Sequence, residues 1–245
     1  MGILRHVKRA ISRHENASLD VDLRYMPVVR FLDAVAAEAT ILEVGSGYMG
    51  IAPYVKRTVI GVDTEFPEQP VSNLLPVISK GTLPFRDRVF DVVVSLDTLE
   101  HVPREFRQLF LNELIRTAKR HVVIGFPEGE EAENHDTEME QYYTRVHGSP
   151  HRYFIEHRVH QIPRKEDVSR YLLKARTEVR RDFTVREMKN VNIRLRSLFM
   201  RLIWHPNRFV QRLYFVLTAL SRWDRLFHQG RCYRSIYFLS MEQAD

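Results

Sequence analysis

The sequence is poor in cysteine. Cys232 is the single one among 245 residues, so the chain cannot form an internal disulfide bond. Its first residues, MGILRHVKRAISRHEN, lack the uninterrupted apolar stretch and the small-residue cleavage site of a secretory signal. His6 stands where the N-myristoylation pattern requires Ser or Thr. No apolar run reaches the roughly 18 residues that a membrane span needs. We therefore expect a cytoplasmic protein, with a peripheral contact to membranes left open.

Basic residues are scarce in the first part of the chain and acidic residues in the second. Residues 1–140 contain 16 Lys and Arg against 22 Asp and Glu, whereas residues 141–245 contain 21 against 9. The net charge of +6 therefore hides an acidic part followed by a strongly basic one. This asymmetry favours an anionic acceptor or an anionic surface as partner, with a solvated basic exterior as the alternative.

Internal repeats and low-complexity segments are also absent, so the organisation is read from periodicity. Short apolar runs alternate with helical patterns, and each run has the length of a buried strand. A helical pattern covers residues 19–39, and a crossover helix over residues 103–120 carries one apolar face. The sequence predicts one α/β domain with a doubly wound, mostly parallel seven-stranded sheet and a helical insertion before the last strand. The predicted strands are residues 40–45, 58–63, 74–79, 90–96, 121–126, 177–185 and 232–241.

The predicted organisation divides residues 1–245 into an N-terminal helical arm (1–39), a core (40–127) and less regular later segments. Residues 128–162 are polar and rich in histidine without a clear period, so we expect an extended excursion on the ligand side of the sheet. A helix is expected over residues 163–176. The basic insertion, residues 190–228, has two helical patterns that could form a lid, a dimer surface or an interfacial helix pair near anionic lipid.

The stretch ILEVGSGYMG contains Gly45, Gly47 and Gly50 in the spacing of the dinucleotide fingerprint, and Asp63 closes the next apolar run. Glycines in this turn and an acid after the second strand serve NAD and S-adenosylmethionine equally well. Glu43 separates the two cofactors, because a carboxylate this close to the turn would repel a pyrophosphate and attract an ammonium or a sulfonium.

The segment LPFRDRVFDVVVSLDTLEHV (83–102), together with ILEVGSG and VIGVD, resembles the class I S-adenosylmethionine-dependent methyltransferases, in particular their small-molecule branch. The match runs from about residue 40 to residue 127. It implies a Rossmann-like methyltransferase fold, S-adenosyl-L-methionine as cofactor and an enzymatic activity. The residues that it implies in cofactor binding are Glu43, Gly45, Ser46, Gly47, Asp63, Thr64, Thr82, Leu83, Ser95 and Asp97, with Leu96 and His101 beside the methyl group.

Two departures from the family pattern accompany this resemblance. The family usually spaces its turn as GxGxG, whereas Tyr48 and Met49 separate Gly47 from Gly50 here. The acid that commonly holds the adenine amino group is replaced by Ser79. Arg24 and Tyr25, in the preceding helix, could pair with the cofactor carboxylate or form a surface salt bridge.

The expected reaction is O-methylation of a small molecule, a glycan or a lipid-linked intermediate. An oxygen acceptor benefits from a general base, for which His101, His147 and His151 are the candidates in that order. The spacing of His147, His151, His157 and His160 allows a metal interpretation, but Gly148 and Pro150 interrupt it and we expect no metal. The absence of an Asn/Asp-Pro-Pro-aromatic motif after the fourth strand disfavours a nucleic-acid acceptor.

Two other functions stay open from the sequence. An NAD-dependent oxidoreductase would explain the glycine spacing, although the Tyr-x-x-x-Lys segment that it would need is absent. A non-catalytic protein that binds the cofactor and uses its basic insertion for interaction is the second alternative. The sequence makes no prediction of the oligomeric state.

Overall fold

A seven-stranded sheet forms the centre of the computed structural model, which describes residues 19–35, 38–66, 68–217 and 224–242. The strands are β1 (Ile41–Val44), β2 (Val59–Asp63), β3 (Leu74–Ile78), β4 (Phe90–Leu96), β5 (Ala118–Pro127), β6 (Phe183–Asn192) and β7 (Cys232–Met241). Their order is β3-β2-β1-β4-β5-β7-β6. The first five are parallel, and β7 runs antiparallel to both β5 and β6. The predicted α/β class and seven-stranded sheet are therefore confirmed.

Seven helices in the described ranges surround the sheet. They are α1 (Leu19–Ala34), α2 (Arg107–Thr117), α3 (Gly129–His147), α4 (Arg152–His160), α5 (Lys165–Glu178), α6 (Ile193–Ile203) and α7 (Arg208–Leu217), and short 3₁₀ turns lie at Ala52–Tyr54, Leu99–His101 and Arg104–Phe106. The central strands are buried on both faces, which explains why their apolar runs are continuous. One face packs against α2 and α5, and the other packs against α1. No helix in the described ranges is long and apolar enough to cross a membrane.

The segment between β1 and β2 differs from the usual strand-helix alternation. Within residues 45–58, all of which the structure describes, the only helical segment is the 3₁₀ turn Ala52–Tyr54. Three glycines with positive φ and Pro53 occupy this short connection and oppose α-helix formation. No α-helix therefore follows the glycine turn within residues 45–58.

The predicted extended excursion over residues 128–162 is wrong in its local structure, because α3 and α4 occupy it. The buried face of α3 comprises Ala132, His135, Asp136 and Met139, which is helical spacing. Two of these four residues are polar, so an apolar period could not reveal the helix. Gly148 ends α3 in the left-handed conformation, with φ of 84°.

Three further boundaries differ from the sequence prediction. The crossover helix ends at Thr117 because Ala118 already pairs with Phe90 as the first residue of β5. The helix predicted over residues 163–176 continues to Glu178, and the strand predicted over residues 177–185 lies instead at Phe183–Asn192. In the insertion, α6 and α7 follow the two predicted helical patterns, and residues 218–223 lie outside the described residues.

Candidate active site

The glycine turn after β1 has backbone geometry that other residues adopt with strain. Gly45, Gly47 and Gly50 have φ values of 79°, 55° and 51°. A side chain on Gly45 would begin 2.1 Å from Thr98 Oγ1, so the turn packs directly against the end of β4. At Gly47 no atom lies within 4 Å of the position of a β-carbon. The turn is therefore packed at its start and faces open space at its middle.

The buried side chain of Glu43 stabilises this turn from the protein interior. The residue is 1% exposed, and its carboxylate accepts hydrogen bonds from Tyr25 Oη at 3.0 Å and from the Ile51 amide at 2.6 Å. Burial raises its pKa to about 7, although these two hydrogen bonds and Arg24 oppose the shift. A β-carbon on Gly50 would lie 2.0 Å from Glu43 Oε2. The contact with Glu43 therefore leaves no room for a side chain at position 50, so glycine is required there.

Asp63 links the ends of β1 and β2. Its two carboxylate oxygens accept hydrogen bonds from the amides of Gly47 at 2.8 Å and Thr64 at 2.7 Å. Oδ1 also accepts the Thr64 hydroxyl at 3.4 Å, whereas Oδ2 keeps a second lone pair that another hydroxyl group can use. The side chain of Ser46 is buried beside this contact and donates to the carbonyl oxygen of Gly47.

The segment after β3 lies at the same end of the sheet, where the carboxyl ends of the parallel strands meet. The buried Leu83 donates its amide to Glu113 Oε2 at 2.7 Å, while Thr82 is exposed and accepts a hydrogen bond from Ser79 Oγ at 2.9 Å. Ser79, the departure from the family pattern, therefore shapes the loop that carries Thr82. The hydrogen bond from Leu83 fixes the start of the LPF segment against α2.

Asp97, directly after β4, pairs with two arginines at this end of the sheet. Its carboxylate receives two hydrogen bonds from Arg234, at 2.9 and 2.6 Å, and one from Arg24 at 3.0 Å. Burial disfavours ionisation, but the two guanidinium groups outweigh it and lower the pKa of Asp97 to about 2. Arg24 thus pairs with a carboxylate of the predicted site rather than with a surface group. Ser95 is enclosed within β4 at 1% exposure, and Leu96 is also buried.

The family of the chain follows from this region. Residues 42–124, from β1 to β5, match the model of the methyltransferase domain family. The chain therefore contains a class I S-adenosylmethionine-dependent methyltransferase domain. Its cofactor is S-adenosylmethionine, so the NAD-dependent alternative and the non-catalytic alternative are both wrong.

Solved structures share the fold of this methyltransferase at low sequence identity. A possible histamine N-methyltransferase from Thermotoga maritima is 15% identical over 97% of this chain and 99% of that chain, with a TM-score of 0.51. A putative methyltransferase from an antibiotic biosynthesis pathway of Anabaena variabilis is 12% identical over 88% of this chain and 98% of that chain, also with a TM-score of 0.51. Comparison with curated protein sequences finds no match.

The cofactor edge of the methyltransferase fits an adenosine-bearing ligand. The open space at Gly47 lets a ligand approach the backbone, and Asp63 Oδ2 beside it has a lone pair available for a ribose hydroxyl group. The individual roles of Glu43, Gly45, Ser46, Gly47, Asp63, Thr64, Thr82, Leu83, Ser95 and Asp97 stay predictions.

Beyond Asp97, the methyltransferase gathers acidic and imidazole groups from three elements. His157 Nδ1, on α4, lies 2.7 Å from Asp136 Oδ2 on α3, and Tyr233 Oη donates to the same oxygen at 3.0 Å. Burial opposes ionisation of Asp136, but hydrogen bonds from His135 and His157 and the charge of Arg196 lower its pKa well below the usual range. Because Asp136 accepts at Nδ1, His157 presents Nε2 to the rest of the site.

Glu100 and His101 complete this group from the turn after β4. Glu100 is 1% exposed, and its Oε1 lies 4.0 Å from His157 Nε2. Its Oε2 has no hydrogen-bond partner among the described residues. Burial and the neighbouring Asp97 raise the pKa of Glu100 well above its usual value. His101 Nδ1 lies 2.8 Å from Glu156 Oε2, and its ring centroid lies 4.9 Å from that of His157.

The three predicted bases are not brought together. His101 belongs to the group just described, and burial together with the charge of His157 lowers its pKa, which keeps its imidazole neutral near pH 7. His147 and His151 are exposed at the rim, where both rings contact Tyr143. His151 also caps α4 by accepting a hydrogen bond from the Tyr153 amide. The four histidines at 147, 151, 157 and 160 do not share one helical face, because α3 ends at the first of them.

The insertion covers this polar group. Arg196, on α6, lies 3.6 Å from the centroid of the Tyr233 ring, 3.0 Å from His135 Nδ1 and 3.3 Å from Asp20 Oδ1. Phe199 and Met200 of the same helix are buried. The inner face of α6 therefore packs on this polar group, while the lid, dimer-surface and membrane roles of the insertion stay predictions.

Sequence reasoning did not identify Asp136, Arg196, Arg234 or Glu100 as principal site residues, and it placed His157 in a different group. The signal for Asp136 was its spacing with Met139 and Ala132 on one face of α3. Arg234 lies in β7, where a charged residue inside a run of apolar ones indicates a buried partner. That arginine is 0% exposed and pairs with Asp97, 137 residues earlier.

Proposed function

We propose that this methyltransferase O-methylates a small polar molecule, a glycan or a lipid-linked intermediate at the carboxyl ends of β4 and β5. The observation that carries this proposal is the group formed by the buried Glu100 and His157 and the half-buried His101, directly beyond Asp97. In this fold the end of the fourth strand is where ligands bind, so the group stands where an acceptor would meet the methyl group. Its side chains suit a hydroxyl acceptor, which must lose a proton.

Transfer to a hydroxyl oxygen breaks the bond between the cofactor sulfur and its methyl carbon, forms an oxygen-carbon bond and releases S-adenosylhomocysteine and the hydroxyl proton. The chain contributes by holding the two atoms in line in a site from which water is excluded. A base or a cation beside the oxygen lowers the barrier to losing the proton. Of the predicted bases, His101 lies beside the end of β4 with His157 next to it, so these two side chains could act either as a base or as ligands of such a cation.

The buried polar side chains near this group favour an acceptor rich in hydrogen-bonding groups. Arg24 Nε and His135 Nε2 are buried without hydrogen-bond partners among the described residues. His135 Nδ1 lies 3.0 Å from the Arg196 guanidinium and 3.5 Å from Asp136 Oδ1, so Nε2 is the ring nitrogen without a contact. Buried polar groups without partners are costly, and the hydroxyl groups of a sugar or polyol, which both donate and accept, would satisfy them.

A lipid-linked source of such an acceptor is supported by the exposed part of the insertion. Phe209 at the start of α7 is 76% exposed, and its neighbours Arg208 and Arg212 are exposed as well. An apolar side chain among cations is typical of helices that contact anionic membranes. Sedimentation with anionic and neutral vesicles tests this contact, and an R208E/R212E variant should lose the difference between the two lipids.

The proposed reaction is tested with cofactor labelled in its methyl group. The purified enzyme is incubated with separated fractions of polar small molecules, glycans and lipid-linked intermediates, and the labelled products are analysed by mass spectrometry. An oxygen-linked methyl group in one fraction, absent with an Asp63→Ala variant, supports the proposal. Products labelled solely on nitrogen, sulfur or carbon would contradict it, as would an absence of label in all three fractions.

A further inference from the structure

We propose that Glu100, His101 and His157 bind a divalent transition-metal ion and that this ion holds the acceptor oxygen. One carboxylate oxygen of Glu100 and one ring nitrogen from each histidine lie within 4.8 Å of one another. Metal binding does not depend on the proposed reaction, whereas the ion's role at the acceptor rests on it. The sequence analysis had expected no metal, because it considered the histidines at 147, 151, 157 and 160 and not this combination.

The hydrogen-bond partners of the two histidines are arranged as in a metal site. His157 Nδ1 is held by Asp136 at 2.7 Å, and His101 Nδ1 is held by Glu156 at 2.8 Å. Metal-binding histidines almost always have one ring nitrogen on a carboxylate or carbonyl, which orients the ring and makes the other nitrogen a better ligand. Two neighbouring histidines with this arrangement leave two Nε2 atoms available for a common partner.

Glu100 provides an independent indication of a ligand. Its side chain is 99% buried, and Oε2 has no hydrogen-bond partner among the described residues. A buried carboxylate without a partner is costly, and a cation is the ligand that relieves this cost most fully. His157 Nε2 lies 4.0 Å from the other oxygen, Oε1, which is too far for a hydrogen bond.

The ligand set indicates the class of metal. Two imidazoles and one carboxylate suit Zn²⁺, Fe²⁺, Co²⁺ or Mn²⁺, whereas Mg²⁺ and Ca²⁺ prefer sites made of oxygen ligands. Tetrahedral ligands about 2.1 Å from a metal lie roughly 3.4 Å apart, so the three groups must draw together by about 1 Å. Three protein ligands leave a coordination position open, which is the arrangement of metal sites that act on substrates.

Asp97 separates this proposed site from the cofactor edge. It directly precedes the turn that carries Glu100 and His101, so an acceptor oxygen on the metal would lie towards the end of β4. A bound cation lowers the pKa of a hydroxyl group that it contacts. The hydroxyl proton then passes to water, and no oxidant or reductant is required because the oxidation states of the metal and the acceptor do not change.

Metal binding is measured on the full-length, metal-free enzyme without acceptor. Calorimetric titration with Zn²⁺ and visible absorption of added Co²⁺ should show one tightly bound ion per chain. Glu100→Gln keeps the shape of the buried side chain and should weaken metal binding by more than 100-fold. Asp136→Asn changes the hydrogen-bond partner of His157 and leaves the three ligands in place, so it should weaken metal binding by roughly 10- to 100-fold. His147→Gln, at an exposed histidine outside the cluster, is the matched control and should bind like the parent.

Two results would overturn the site. One is the absence of a stoichiometric ion in the parent protein, and the other is equal metal affinity in the parent and in a folded Glu100→Gln variant. Circular dichroism and thermal unfolding of each variant establish that the fold is intact. If the metal binds as expected but the chelated enzyme transfers methyl groups at the parent rate, the role at the acceptor is wrong. If the metal binds and no oxygen is ever methylated, the proposed function fails while the metal site stands.

Discussion

Replacing Gly50 by alanine should destabilise the protein more than the same change at Gly47. Both residues have left-handed φ values, 51° and 55°, so each substitution costs about 1–2 kcal/mol in backbone strain. At Gly50 the new β-carbon would also lie 2.0 Å from Glu43 Oε2. Glu43 must then move and weaken its hydrogen bond to the Ile51 amide, which adds about 1.5–3 kcal/mol.

The expected loss in free energy of unfolding is therefore roughly 2.5–5 kcal/mol for Gly50→Ala and roughly 1–2 kcal/mol for Gly47→Ala. Urea unfolding followed by circular dichroism measures both values. In calorimetric titration with S-adenosylhomocysteine, Gly47→Ala should weaken binding more than Gly50→Ala does. The reason is that the methyl group added at position 47 enters the open space proposed for the cofactor. Equal losses of stability in the two variants would refute the role assigned to Glu43 beneath the turn.

The remaining predictions concern other buried contacts of the same edge. Gly45→Ala places a β-carbon 2.1 Å from Thr98 Oγ1, so adding Thr98→Ala should recover part of the lost stability in a double-mutant cycle, and additive losses would contradict this contact. The pKa of Glu43, about 7 in the folded state against 4.5 in the unfolded state, gives stability that is full below pH 4.5 and is lost as the pH rises through 7. Thermal unfolding from pH 5 to 8 should show this slope, and Glu43→Gln should remove it. Cys232 is buried with a raised thiol pKa, so iodoacetamide at neutral pH should label it only after unfolding, as mass spectrometry can show.

The central strands were predictable because their burial leaves a direct trace in the sequence. A strand with helices on both faces, such as β4, is apolar along most of its length and therefore appears as a mostly apolar run in the sequence. The same reasoning missed α3, since polar residues occupy half of its buried face. His135 and Asp136 are buried there because they pair with groups from β7, α4 and α6, which lie far away in the sequence.

The glycine turn shows a similar division between local and tertiary information. Its positive φ values follow from the residue type, so the positions of Gly45 and Gly47 were evident from the sequence. The contact of Gly50 with Glu43 depends on how the chain folds back after the turn, and the sequence contains no local sign of it. Attraction of the cofactor's cationic groups to Glu43 stays a prediction, next to the turn-stabilising hydrogen bonds that the carboxylate makes.

The cluster of charged groups around Asp97 and Asp136 was the least predictable part of the molecule. Its charged groups come from α1, the end of β4, α3, α4, α6 and β7, so their meeting depends on the complete tertiary structure. The contact between Arg234 and Asp97 joins residues 137 positions apart. A sequence pattern can report neighbours in a helix or strand, but it contains no comparable signal for such a distant pair.

The most direct test of the account is a calorimetric titration of the purified protein with S-adenosylhomocysteine and with NAD, using Asp63→Ala as a control. We expect one molecule of S-adenosylhomocysteine to bind per chain, no measurable binding of NAD, and weaker binding of S-adenosylhomocysteine by the variant. Binding of NAD without binding of S-adenosylhomocysteine would contradict the account.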